Sequence, residues 1–515
     1  MPHSGPALEQ PVQLSKLLQL GLKIHANEPA LISLEDTWSW ADLEETSSRL
    51  AANYLTLGLK PGDRVASLMP NCPVVLAHYL ACFKAGLIAT PLNYRSGVPE
   101  IDHVLDLSGA TLLISHVARG ADIAASKARN LPLGILSYGE EAAEPSLERL
   151  SKGQSPALSL PALDVSAPAA IFFTSGSTGP AKGVTHSVAS LGAMFASMAA
   201  AYELTQADTM LPAASFSHIG AFAFSFAALS AGTKVAVPGA LNHAELGPLF
   251  RLSRPTVMTM MPTGLLHLVR DPETTVEDFA SLRLVRSGGD KVPGELQKEF
   301  MALTGQPVHQ TFGMTELGIA THNPAPLDKL GSIGLPNPGV VFSIRDENGR
   351  EVADGEQGQA WIRAACTTIG YWNNAKATEE AIRDGWLDTG DAMKADSDGY
   401  LWFCGRQKQL IVHDGAHIVP QEVEEALLEH PAVESVGVIG VHDLVHGENV
   451  RAYVEIKAGM KTPSIIDLIE FASARLGYKA PDEIVFLDKV PLNLIGKVDR
   501  VALKTLAAGE HAHHV

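Results

Sequence analysis

At 515 residues the chain is too long for one compact core, so two or more domains are expected. A hydrophobic fraction of 46% is ordinary for a globular protein. Thirty-nine basic against 57 acidic residues leave a formal charge of −18, which excludes nucleic acid as the main partner, since that partner requires a basic face.

Four cysteines, Cys72, Cys82, Cys366 and Cys404, show neither metal spacing nor a disulfide framework, and a reduced, cytoplasmic setting is expected. No basic segment followed by an apolar one suggests a leader, and no long uncharged apolar run suggests an integral membrane segment. In chain order, 14–24 reads as an amphipathic helix, 30–33 as a strand and 40–57 as a helix stopping near Gly58. Residues 62–68 read as a turn into a buried strand, 74–84 as a helix and 111–115 as another strand. Strands alternating with helices predict an α/β fold with largely parallel sheets. Residues 139–167, rich in Glu, Ser and Pro, read as a loop.

The apolar run 169–172 leads into the stretch Phe173-Thr174-Ser175-Gly176-Ser177-Thr178-Gly179-Pro180-Ala181-Lys182-Gly183-Val184. Its glycines let the backbone turn tightly and approach a ligand, and successive N–H groups in such a loop form an anion-binding concavity. The hydroxyls of Thr174, Ser175, Ser177 and Thr178 can donate to phosphate oxygens, and Lys182 adds a point charge. It is not a P-loop, because Gly183 stands where Ser or Thr must follow the lysine. The order resembles the phosphate loop of the adenylate-forming superfamily: acyl-CoA synthetases, adenylation domains and firefly-type luciferases. The resemblance implies that Thr174, Ser175, Gly176, Ser177, Thr178, Gly179 and Lys182 hold the nucleotide phosphates.

Later segments carry the same resemblance. A histidine among apolar residues is usually a satisfied core group. His218, in Ser217-His218-Ile219-Gly220, nevertheless matches a family segment that lines the acyl pocket. The run 221–226 reads as plain core. Ser287-Gly288-Gly289-Asp290 matches the family's glycine turn at the adenine and acyl sites, so Gly289 and Asp290 are cofactor-binding candidates. Asp290 reads either as a turn residue or as an acceptor for the adenine amino group.

Gln310-Thr311-Phe312-Gly313-Met314-Thr315-Glu316 resembles the Y-G-x-T-E signature. A hydroxyl beside a carboxylate suits a hydrated magnesium, which takes one or two protein carboxylates. By resemblance Thr315 reaches the AMP phosphate and Glu316 holds Mg2+. Phe312 replaces the usual Tyr, keeping a ring to stack on adenine. Asp388-Thr389-Gly390-Asp391 makes Asp391 the acceptor for both ribose hydroxyls, and Arg406 matches the ribose-contacting arginine. Pro491-Leu492-Asn493-Leu494-Ile495-Gly496-Lys497 resembles the last signature, with Leu492 in place of a basic residue, and makes Lys497 the catalytic lysine. The tail histidines His511, His513 and His514 read as a disordered end, with metal binding as the alternative.

The resemblance spans roughly residues 30–505 with its motifs in order. It implies a large N-terminal domain of α/β subdomains, residues 1–408, which binds AMP and the acid. A small mobile α+β C-terminal domain, residues 409–515, would turn about Gln409, where Asp or Lys is usual. Asp414 also departs from a common glycine and alters the loop that passes the pantetheine arm. The implied activity is a carboxylate–CoA ligase using ATP, Mg2+ and coenzyme A, with a carboxylic acid, ATP and CoA as partners, and a homodimer is an open expectation. A fatty acid is placed ahead of an aryl acid. Arg286 argues against a dicarboxylic acid: strand alternation turns it away from a pocket that Ser287 would face. The remaining alternatives are an enzyme loading a carrier protein, a fatty-acyl-AMP ligase and an inactive acyl-nucleotide binder.

Overall fold

The computed structural model describes residues 11–140, 142, 146–153, 159–174, 181–290, 292–406, 409, 411–413, 416–443, 446–493 and 496–511. Alternating helices and strands wind a seven-stranded sheet in the order Val308–Thr311, Leu284–Gly288, Val257–Met260, Thr209–Ala213, Lys234–Ala236, Pro29–Ile32 and Thr37–Ser39. Every pairing in it is parallel except the last. A second seven-stranded sheet runs Gly370–Tyr371, Lys182–Ser187, Pro168–Thr174, Ile88–Pro91, Arg64–Leu68, Leu112–His116 and Ile135–Tyr138. Here Pro168–Thr174 and Lys182–Ser187 form an antiparallel pair that brackets residues 175–180.

Between the two sheets lie helices that are apolar on every side. All of Pro73–Ala85 is buried, and so is most of Val188–Ala201 and Ile219–Ser230. A helix without a polar face must be covered all round, and two sheets provide the cover. The run 221–226 is core, as its composition predicts. Phe222 is the hub. Its ring lies 4.9 Å from Phe172 on a strand of the second sheet, 5.3 Å from Tyr79 and 6.1 Å from Phe83 on one helix, and 6.2 Å from Phe195 on another. Lys84 enters the same layer and is held by Glu44 Oε1 at 2.7 Å and by the hydroxyls of Ser47 and Ser48, each at 2.9 Å.

A five-stranded antiparallel sheet, Val340–Arg345, Gly358–Ala364, Trp386–Ala395, Ile382–Arg383 and Leu401–Arg406, completes the larger part. The C-terminal part has its own five-stranded sheet, built on Val433–Asp443 and Gly447–Ile456. Helices Pro420–Leu428, Ile465–Leu476 and Arg500–His511 accompany it, and Pro420 opens the first of them at N1. The chain is thus a mixed α/β protein with a large N-terminal and a small C-terminal domain.

Three local expectations change. Residues 14–24 are not one helix: a 3-10 turn, Leu14–Lys16, precedes the α-helix Gln19–His25. Threefold winding aligns Leu14 with Leu17, and both are buried. The first predicted strand ends at Ile32, because Ser33 turns to donate from Oγ to Asp36 O at 3.0 Å. Within 139–167 a helix, Leu147–Lys152, forms behind an N-cap at Ser146, whose Oγ accepts from Arg149 N–H at 3.3 Å.

The aromatic hub sets a stability prediction. Phe222→Ala removes a ring packed against Phe172, Tyr79, Phe83, Phe195 and Phe226, and unfolding of the N-terminal domain should lose about 3–5 kcal/mol, read from the shift in denaturant midpoint at constant slope. A loss below about 1 kcal/mol would show that the layer is held elsewhere.

Candidate active site

A cleft of about 2250 Å³ opens at the carboxyl ends of the parallel strands and runs on to the C-terminal part. Ligands of open α/β sheets bind at that edge, where loops and helix N-termini gather. The volume exceeds the range of about 300–1,000 Å³ usual for one small ligand.

Each described candidate residue lines this cleft: Thr174, Lys182, His218, Gly289, Asp290, Gln310, Thr311, Phe312, Gly313, Thr315, Glu316, Asp391, Arg406 and Lys497. Ser175, Gly176, Ser177, Thr178 and Gly179 lie outside the described residues, as does Asp414. The ends of their loop are placed: Thr174 pairs with Lys182 across the hairpin, and His103 Nε2 donates to Ala181 O at 2.8 Å. Lys182 Nζ stands 5.0 Å above the centre of the Tyr371 ring.

Close backbone approach explains the glycine turn. A Cβ on Gly288 would meet Thr311 O at 2.4 Å, and one on Gly289, at φ +84°, would meet Met261 Sδ at 2.9 Å. Phe312 is almost buried, with its ring 6.4 Å from Phe342. Ser287, expected to face the pocket, does not line it: fully buried, it donates from Oγ to Met260 O at 2.9 Å on the next strand. Only strand ends reach the cleft, so alternation along the strand does not sort its lining. Arg286 is absent from the lining too, stacked 3.6 Å above the Tyr202 ring.

Glu316 is 8% exposed and its Oε1 accepts from Tyr371 Oη at 2.9 Å, which fixes the carboxylate. Buried His186 donates from Nε2 to Thr315 O at 2.8 Å and anchors the adjacent residue. Burial holds the His186 imidazole down at about 4, so it stays neutral. Neither Tyr371 nor His186 was singled out from the sequence. Tyr371 arrives on a two-residue strand that pairs with Lys182–Ser187, a contact with no local signature.

Asp391 is the most unusual group. It is 1% exposed, and neither carboxylate oxygen has a hydrogen-bond partner among the described residues. Arg406 Nε lies 3.1 Å from Oδ1 without hydrogen-bond alignment. Burial pushes the Asp391 carboxyl up to about 6, against the pull of Arg406 and Lys497. Two orphaned acceptors of one carboxylate fit a pair of hydroxyl donors.

Lys497 stands on a tight turn. Its N–H donates to Asn493 Oδ1 at 3.0 Å, its carbonyl accepts from Asn493 N–H at 2.7 Å, and Gly496 takes φ +80°. Arg500 anchors the exit by donating to Glu424 Oε1 and, from Nε, to Val438 O at 3.2 Å. Burial draws the Lys497 ammonium below the usual lysine range. Asp290 and Asp391 oppose that shift, and Arg406 and Arg500 add to it. His218 is lowered to about 4 by burial and then by Lys497, so its ring is neutral at pH 7. Asn93 Nδ2 lies 3.3 Å from His218 Nε2. Residues far apart in sequence therefore form one electrostatic unit.

The profile of the AMP-binding enzyme family matches residues 21–372, and that of the AMP-binding enzyme C-terminal domain matches residues 422–497. A feruloyl-CoA synthase from Amycolatopsis sp is 32% identical over 89% of this chain and 92% of its own. A long-chain-fatty-acid–CoA ligase from Yersinia pestis is 30% identical over 98% and 96%. The ATP-bound crystal structure of MatB from Rhodopseudomonas palustris superposes with a TM-score of 0.88 at 28% identity, covering 96% of this chain and 99% of that one. Family profiles, relatives and site geometry agree: this chain belongs to the AMP-binding enzymes of the adenylate-forming superfamily, as an AMP-forming ligase of the carboxylate–CoA type.

Proposed function

We propose that this ligase joins an acid with an uncharged tail, foremost a fatty acid, to coenzyme A through an acyl-adenylate. The observation that carries the adenylate chemistry is the meeting of Lys497 with the orphaned Asp391 carboxylate in one cleft. In the first step a carboxylate oxygen attacks the α-phosphorus of ATP, the bond to the β-phosphate oxygen breaks, and pyrophosphate leaves. In the second the CoA sulfur attacks the acyl carbon, AMP departs and the thiol proton is lost.

Positioning and charge neutralisation are what a protein contributes to such a transfer. Asp391 accepts from the ribose hydroxyls, with Arg406 beside it. Phe312 stacks on adenine, Gly289, Asp290, Gln310, Thr311 and Gly313 border the base and acyl group, and residues 174–179 with Lys182 meet the phosphates. Glu316, with Thr315 next to it, would hold Mg2+, which supplies charge neutralisation at the phosphates; one Glu316 oxygen is engaged by Tyr371 and the second is not so engaged. Lys497 bridges the acid carboxylate and the developing charge. Residues 1–408 carry the nucleotide and acid, and residues 409–515 deliver Lys497 and turn about Gln409 between the two steps.

The acid's tail is inferred from the lining. Gly220, Ala221, Phe224, Met260, Met261 and Ile319 supply small and apolar surface, and the neutral His218 adds no charge. A buried Arg286 turned away from the cleft cannot select a second carboxylate. An aryl acid is the second reading, favoured by the likeness to feruloyl-CoA synthase.

Lys497→Ala should lower acyl-adenylate formation, followed as pyrophosphate release, by about a thousandfold, while thioester formation from supplied acyl-adenylate stays within a few fold of native. Equal loss in both half-reactions would reject this division of labour. Asp391 predicts a pH dependence whose sign follows from its raised pKa: below about 6 the free enzyme's carboxyl is mostly protonated and loses acceptor capacity, and above it the carboxylate is ionised. Adenosine, which carries no phosphate to titrate, should therefore bind more weakly as pH falls from 7 to 5, approaching about tenfold per unit below the midpoint. Asp391→Asn should bind weakly at every pH, and a native affinity flat across that range would count against the assignment. For the acid, Arg286→Ala should leave the ratio of kcat/KM between fatty, aryl and dicarboxylic acids unchanged. Best native turnover on a malonate- or succinate-type acid, lost on that substitution, would overturn the reading.

A further inference from the structure

A second cluster of chemistry-bearing side chains sits away from the nucleotide groups. The helix Pro262–Arg270 presents Thr263, Gly264, His267 and Leu268 to the cleft and ends at Asp271. The helix His243–Ser253 starts beside that end. Ligand atoms of His243, Asp271 and Glu273 all lie within 4.8 Å of one another, and among the described residues this is the one such group.

Proximity of two acids and a histidine is common and carries little alone. The histidine ring provides the independent observation. His243 is 9% exposed, and its Nδ1 is buried without a hydrogen bond. On the other side of the ring, Nε2 lies 3.4 Å from Asp278 Oδ2, within hydrogen-bond reach. Asp278 is itself 6% exposed and fixed by Thr275, whose N–H donates to Oδ2 at 2.9 Å and whose Oγ1 donates at 3.2 Å. A carboxylate only accepts, so Nε2 carries a proton and the bond to Asp278 turns Nδ1 toward Glu273 and Asp271. Nδ1 lies 3.5 Å from Glu273 Oε2.

A proton or a metal ion held between that nitrogen and the carboxylate oxygen would satisfy both, and the spacing fits the metal. Tetrahedral bonds of about 2.0–2.2 Å to nitrogen and oxygen put two ligand atoms roughly 3.4 Å apart. A histidine oriented through its far nitrogen by a buried carboxylate is also the usual support of a metal-bound imidazole. Two carboxylate oxygens and one imidazole nitrogen form the donor set. Nitrogen in the donor set selects zinc-like transition ions over magnesium or calcium.

We propose that His243, Asp271 and Glu273 bind one divalent transition-metal ion, such as Zn2+ or Co2+, distinct from the nucleotide's magnesium. The ion pins the end of the Pro262–Arg270 helix to the start of the His243–Ser253 helix and so stiffens the cleft wall that the first helix presents. The site does not depend on the acid or on the adenylate chemistry.

The test uses the full chain after dialysis against EDTA. Co2+ is titrated and followed by visible absorption, Zn2+ by calorimetry, and thermal unfolding is measured with and without Zn2+. Native protein should take up one ion per chain, and its unfolding midpoint should rise saturably with Zn2+. Glu273→Gln alters an exposed side chain and should keep the metal-free midpoint while weakening binding about tenfold or more. Asp271→Asn should weaken binding likewise. Replacing the tail histidines together (His511→Ala, His513→Ala, His514→Ala) should leave the ion bound. Uptake lost with the tail overturns the proposal, as does uptake equal in native and both carboxylate variants. A native chain that binds no ion overturns it as well, and a metal-free midpoint lowered by Glu273→Gln would then identify an ordinary His–Glu ion pair.

Discussion

Three apolar helices pressed between two twisted sheets constrain everything else in the larger domain. Phe222 touches both helical neighbours and the strand Pro168–Thr174, so ring-to-ring contact sets how the helical layer sits on the second sheet. Close packing of large rings leaves little freedom for the helices to slide on that sheet. Both sheets direct strand ends toward one cleft. The hairpin Pro168–Thr174 with Lys182–Ser187 comes from one sheet, and the glycine turn after Leu284–Gly288 comes from the other.

Charge in that cleft is arranged under partial desolvation. Asp391 is raised because burial removes water from a carboxylate whose oxygens have no hydrogen-bond partner among the described residues. Lys497 is lowered by the same cause with the opposite sign. Each group would be costly alone. Together, with Asp290 and Arg406, they offset one another while keeping hydrogen-bonding capacity for a polyanionic ligand. An overall charge of −18 is compatible with this, because Lys182, Arg406, Lys497 and Arg500 all line the cleft.

Holding such groups in place falls to neutral and peripheral residues. His186 fixes the backbone at Thr315, Tyr371 orients Glu316, Asn93 meets His218, and the Arg500–Glu424 pair anchors the turn that carries Lys497. None of these four contacts is local in sequence. The cluster at His243 follows the same logic on a smaller scale, with Asp278 orienting a ring whose other nitrogen is exposed to two carboxylates.

Much of the fold was legible because it rests on local chemistry. Alternating apolar strands and helices predicted a parallel α/β architecture. Pro420 marked a helix start, and glycines marked turns where a Cβ would collide with backbone. The loop composition of residues 173–184 and the pairing of Thr315 with Glu316 named candidate ligand groups, because hydroxyls, carboxylates and a lysine at short spacing have few other uses. Residues 14–24 and 146–153 were misread, since a 3-10 turn and a capped short helix are decided by burial and by one cap rather than by periodicity. The assumption that Ser287 faces the pocket failed for a related reason: the cleft lies at the end of the sheet, and alternation describes only its faces. By itself, then, the sequence determined the class of fold and the kinds of groups available. Tertiary structure decided which of them share a cleft, that Arg286 is sealed against Tyr202 outside it, and that neither Asp391 oxygen has a hydrogen-bond partner among the described residues, because desolvation and long-range contact depend on neighbours that no local pattern records.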